Sequence, residues 1–182
     1  KVIMAMTLIT TNTSSNAASS SFTSGIDSTY KLFIFKFFDC NPATDGVHFG
    51  FQANASSQSG YNETVTTTFF RQHQGEDGSN AEIGYVAGAD QAQATDFIKL
   101  NETGSMGGDA DQHIAGTLWL FNPSNTTYVK HFYATTNMTK NDDGSSNGFI
   151  SGYFNVTAAI TNIQFKMSSG NFDGTIKMYG VG

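Results

Sequence analysis

An all-β, antiparallel β-sandwich of jelly-roll-like build is the fold this sequence predicts, on three observations. Apolar and polar residues alternate through nearly every apolar segment, the period of a strand with one buried face. Turn-forming stretches rich in Gly, Asn, Asp and Ser recur every 8–12 residues, as the short strands of a sandwich require. Sixteen Phe supply bulky apolar faces while charged residues are only 13%, so a chain of 182 residues can fill one sizeable core. The expectation is a single domain over residues 1–182 with eight to ten strands.

The C-terminal stretch, Ile160 to Gly182, organises the rest. Ile163, Phe165 and Met167 share one face against Asn162, Gln164 and Lys166. After a Gly/Ser/Asn/Asp segment, Ile176 and Met178 face away from Thr175 and Lys177. Two alternating runs about such a turn predict a β-hairpin. At the other end, Lys1–Thr10 reads as a first strand, and the polar segment Thr11–Ser24 as a loop or arm.

Between these ends the elements follow in order. Ser28–Phe38 is a strand with Phe33, Phe35 and Phe37 on one face and Leu32, Ile34 and Lys36 on the other. A strand apolar on both faces is central in a sandwich or covered by a second subunit. Val47–Ala53 alternates as a half-buried strand, and the β-branched run after Asn62 suits another. Ala89–Thr95 is compatible with a short helix or turn, and Phe97–Leu100 with a short strand. Asn101–Gln112 is a Gly-rich loop. His113–Thr136 holds two strands about an Asn-Pro turn, matched by the Asn-Pro turn after Phe38 as a weak pseudo-repeat. Asn137–Gly148 reads as a polar loop, followed by a strand at Phe149–Val156.

Charge and cysteine usage narrow the function. A net charge of −6 with one arginine, Arg71, argues against nucleic acid, whose binding needs Lys and Arg against phosphates. No apolar run approaches the 18 residues of a membrane helix, and the first residues do not form a signal peptide. The lone Cys40 permits no internal disulfide and suits a buried apolar position.

Catalytic chemistry finds little to stand on. His48, His73, His113 and His131 lack metal-ligand spacing, and neither an HExxH motif nor a GxSxG elbow occurs. Gly108–Gln112 and Asn141–Gly144 place carboxylates in loops, where Asp-Gly runs are ordinary turns more often than Ca²⁺ sites. The expectation is a non-enzymatic protein without cofactor or metal. Seven N-x-S/T sequons, from Asn12 to Asn155, fit a polar, loop-rich chain as well as a glycosylated one. A sugar-binding surface would need grouped exposed aromatics, for which Trp119, Tyr61, Tyr85 and Tyr128 are the candidates.

Four motifs carry a family resemblance: GIDSTY (Gly25–Tyr30), LFNPSNTTYVKHF (Leu120–Phe132), SGYFNVTAAI (Ser151–Ile160) and IQFKMSSGNFDGTIKMYG (Ile163–Gly180). They resemble virion structural proteins of marine tailed phages, especially those infecting cyanobacteria. The resemblance spans most of the chain except Asn54–Gln112. It implies a non-enzymatic particle component, a capsid decoration or a tail or fibre module, with carbohydrate-binding receptor recognition as the alternative. It implies assembly as a homotrimer with other virion proteins, and contact with a host surface glycan in the alternative.

Leu32 and Ile34 are the expected interface residues. They lie opposite Phe33, Phe35 and Phe37, and one core cannot cover both faces. Either a second copy covers them, or the Thr11–Ser24 arm or the Asn101–Gln112 loop does.

Overall fold

The computed structural model describes residues 5–56 and 58–182. Among the described residues there are thirteen strands and one 3₁₀ turn, at Ala87–Ala89. The strands are β1 (Met6–Ala17), β2 (Ser20–Phe22), β3 (Leu32–Pro42), β4 (Phe49–Ala55), β5 (Val65–Gly75), β6 (Glu82–Tyr85) and β7 (Gln91–Ala94). Then follow β8 (Ile98–Lys99), β9 (Ile114–Phe121), β10 (Lys130–Thr139), β11 (Gly144–Phe154), β12 (Ile160–Met167) and β13 (Phe172–Val181). They form two antiparallel sheets. The larger runs β1-β13-β3-β9-β10-β11-β5-β6, with β7 also on β5; the smaller runs β2-β12-β4-β8.

The pairing is nested. β1 pairs with β13, β2 with β12, β3 with β9 and β4 with β8, so the chain is one long folded ribbon rolled into two sheets. That is a jelly roll, closed where β13 also pairs with β3 and β12 with β4. Two insertions widen it. β5–β7, between β4 and β8, and β10–β11, between β9 and β12, join edge to edge and extend the larger sheet beyond the roll.

Phenylalanine holds the two sheets together. Phe165 on β12 lies 5.7–6.3 Å, centroid to centroid, from the rings of Phe22, Phe35, Phe37, Phe49 and Phe51. Phe35, Phe49, Leu118, Phe132 and Phe165, each in the middle of an alternating run, are all buried within one contiguous cluster. Cys40 belongs to it.

Several expectations need correction. β12 and β13 present the predicted faces, but they do not pair with each other: one lies in each sheet, and the turn between them is an arch across the core. Alternation records which face is buried and is silent about the hydrogen-bonding partner. The same holds for the Asn-Pro pseudo-repeat. β9 and β10 form a true hairpin, with Leu120 opposite Phe132, whereas the chain after Pro42 crosses to the other sheet.

Thr11–Ser24 is no arm. Its first half is β1, paired with β13 from Thr11↔Lys177 to Ala17↔Phe172, and its second half contains β2. An edge strand is held by backbone bonds more than by burial, so its polar sequence hides it. Residues 1–4 of the expected first strand lie outside the described residues. β10 and β11 run through most of the expected loop Asn137–Gly148 and leave only Lys140–Asp143 as the turn. Ala89–Thr95 is mostly β7 rather than helix. β4 is buried on both faces, because Gln52 donates to the carbonyls of Glu63, Thr95 and Asp96 in loops that close over it.

Candidate functional site: the outer face of the large sheet

The smaller sheet covers one face of the larger; the opposite face carries the exposed aromatics. Strand parity determines what that face shows, since alternate residues point out. In one register row Leu8, Tyr179, Ile34, Trp119, Tyr133, Ser151 and Thr68 lie side by side across seven strands. The next row holds Met6, Val181, Leu32 and Phe121. On the other side a third row holds Lys177, Lys36, Thr117, Thr135, Phe149, Phe70 and Tyr85. Leu8, Phe70, Phe121, Tyr133 and Tyr85 are all exposed.

Leu32 and Ile34 therefore sit on this face. Ile34 is buried laterally between Tyr179 and Trp119, and Leu32 is half-buried beside Phe121. Neither segment expected to cover them does so. β1 extends the sheet at its edge, and the Asn101–Gln112 loop is tied elsewhere, to Asn41, Asp45 and Val47. Trp119 and Tyr85 share the face; Tyr61 and Tyr128 lie on loops outside its strands.

The rings are stacked in a specific way. Trp119 lies 4.5 Å from Tyr133 at 19°, and Phe70 lies 4.8 Å from Phe149 at 9°. These separations match the ~4.8 Å between neighbouring strands, so the stacking axis runs along the sheet and the ring edges point to solvent. Between the two stacks lies a groove of about 400 Å³, lined by Thr68, Phe70, Tyr133, Thr135, Phe149 and Ser151. Lys36 and Lys177, on adjacent strands, are the charged side chains of the three rows. Tyr133, Phe121, Phe70 and Phe149 escape a reading of the sequence, although the outward parity of Trp119 and Phe121 in LWLF is visible there.

His73 shares a cleft with Glu76, Asp77, Asp142 and Asp143, and His113 Nε2 lies 3.7 Å from an Asp39 carboxylate oxygen. Arg71 pairs with both Glu82 and Glu102, tying the Glu102 loop to β5 and β6. Ser146 donates to Glu102 rather than to its register neighbour His73, whose buried Nδ1 has no partner, so no nucleophile–base pair forms. The Tyr85 hydroxyl donates to Asp90, which raises its pKa above the usual phenol value. Among the described residues no group of three or more His, Cys, Asp or Glu is placed to hold a metal ion. No helix among them is long and apolar enough to cross a membrane. Two sequon asparagines, Asn54 and Asn101, are buried and accept backbone N–H bonds from Tyr61 and Phe49.

No family model matches this chain, and no curated protein does. Two solved structures, of the Gt and Gx strains of infectious bursal disease virus, align over 94% of it at 12% and 13% identity. Their TM-scores are 0.18 and 0.17, and the chain spans 41% and 39% of the chains it matches. Likeness at that level does not reach a shared fold.

Proposed function

We propose that this protein is a non-enzymatic structural subunit of a virus particle, a jelly-roll module that associates with further copies of itself through the outer face of its large sheet. The observation that carries the self-association is that face: broad, aromatic and, among the described residues, without a covering element. The seven strands across the sheet from β1 to β5, each eight or more residues long, at ~4.8 Å and with four outward positions per strand at ~6.7 Å, give about 900 Å². A specific interface needs about 800 Å² from each partner. Interface cores are rich in Tyr, Trp and Phe and poor in charge, and the three rows have that composition. Sheet faces this apolar are a liability on an isolated subunit.

The virion setting, the tailed-phage class and the preference for a trimer rest on the resemblance of the four sequence motifs. The alternative, recognition of a host glycan, has less support. Sugar rings stack on open aromatic faces, and here the stacked rings turn their edges outward. Sedimentation of the purified chain at micromolar concentration tests the association. An oligomer dissociated by Leu32→Asp or Phe121→Asp is expected; a monomer indifferent to both would overturn it. Stoichiometric recovery of the chain from purified particles tests the virion setting.

A further inference from the structure

The middle register row is an incomplete ladder. Ile34, Trp119 and Tyr133 follow one another from β3 to β10, and then Ser151 and Thr68 leave two positions without bulk. Trp119 covers one face of the Tyr133 ring, while the other looks into the 400 Å³ groove over Ser151. A flat ring placed there, one strand spacing from Tyr133, would continue the stack. The polar groups lining the groove are hydroxyls, with no amide or carboxylate to read a sugar.

Among the described residues Tyr128 is the exposed large hydrophobic residue that does not lie on this face; it is 70% exposed. Its loop is fixed in place. The Asn125 carboxamide oxygen accepts the Thr127 and Tyr128 N–H groups at 2.7 and 2.8 Å. The Tyr128 carbonyl accepts Lys130 Nζ at 2.7 Å, and the same buried ammonium holds the carbonyls of Val156 and Thr157. A tyrosine held this way has little ordering cost on binding, and tyrosine is a frequent interface anchor.

We infer that Tyr128 of a second copy inserts into this groove and stacks on the free face of Tyr133. The inference rests on the self-association proposed above. Tyr128 cannot fill its own groove. It lies in a bend two residues before the start of β10 and is not among the residues lining the groove. Knob and groove lie on different parts of one surface, so the contact pairs unlike patches as a closed ring requires, or occurs twice in a two-fold dimer.

The test is sedimentation of the full chain together with cysteine cross-linking. Tyr128→Ala, a change at an exposed loop, should weaken association about 30-fold, the loss expected of an anchor tyrosine. Tyr128→Phe should preserve it, and Ser151→Phe, which fills the vacant rung from within, should block it. The pair Tyr128→Cys and Ser151→Cys, on separate copies and a tyrosine's length apart, beyond disulfide reach, should be joined by a short bifunctional thiol cross-linker. Association unchanged in Tyr128→Ala, with no cross-link, overturns this contact but leaves the self-association reading standing. A wild-type chain that stays monomeric overturns both. Quenching of Trp119 fluorescence by an oligosaccharide, abolished by Ser151→Phe, would assign the groove to a sugar and overturn the contact.

Discussion

The ring of Tyr30 occupies the space that a side chain on Gly180 would need. A Cβ built on Gly180 would overlap the ring carbons of Tyr30, which packs edge-on against Phe33 at 6.0 Å. The first and last motifs of the sequence, Gly25–Tyr30 and Ile163–Gly180, thus meet at one point. Gly180→Ala should cost about 1–3 kcal/mol, the range for overpacking a filled site. Denaturant titration measures it, and an unchanged midpoint would mean that Tyr30 moves aside freely.

Phe165 touches five other phenylalanine rings from both sheets. Phe165→Ala removes the one ring common to all those contacts and opens a cavity in the middle of the sandwich. The expected loss is about 3–5 kcal/mol in urea titration. A loss below about 1 kcal/mol would show that the surrounding rings close the gap.

Phe165 also shows how far the sequence speaks. Alternation told which side of Ile163–Met167 and of Thr175–Val181 is buried, because burial is a property of single residues. It did not tell that these strands belong to different sheets, because a hairpin and an arch bury the same faces. The second half of β1, from Thr11, and the turn-proximal halves of β10 and β11 escaped for a different reason. Their backbone is paired, but their side chains are Ser, Thr, Asn and Gly, which read as loop. For the outer face, Leu32, Ile34 and Trp119 were legible from parity within one strand. Tyr133, Phe149 and Phe70 join them through register between strands far apart in sequence, which no local pattern records.

Lys130 is completely buried, and burial lowers its pKa from the usual lysine value. Its ammonium holds three carbonyls, at Tyr128, Val156 and Thr157, that join the β9–β10 loop to the segment before β12. Methionine matches the length of the stem and offers no donor. At about 1 kcal/mol or more for each carbonyl left unpaired, Lys130→Met should cost about 3 kcal/mol or more. The same variant should loosen the Tyr128 loop, seen as faster amide exchange at Thr127 and Tyr128. Unchanged exchange would show that Asn125 alone fixes the loop.

Cys40 packs against Gly174, where an added Cβ would lie 2.9 Å from Sγ. Burial, with Asp39 adding to it, pushes the thiol up to about 12. It is therefore a thiol, not a thiolate, throughout the neutral range, and a thiol reagent should find it only in unfolded protein. Stoichiometric labelling of the native chain within minutes would contradict this.

His48 sets a pH dependence whose sign follows from its surroundings. It lies between Val47, bridged to Met106, and Phe49 in the core, with its backbone bonded on both sides to Ser168. Burial, assisted by the charge of Lys99, lowers its pKa to about 4 from the ordinary 6.5. The folded state thus keeps the imidazole neutral at pH values where the unfolded chain takes up a proton. Its contribution to stability is complete above pH 6.5 and is lost progressively as the pH falls from 6.5 through 4. Urea midpoints should decline over that interval in the wild type. In His48→Gln, which keeps a polar side chain but cannot titrate there, the decline should be shallower by the share His48 contributes. Equal slopes in the two proteins would place the acid sensitivity on other groups.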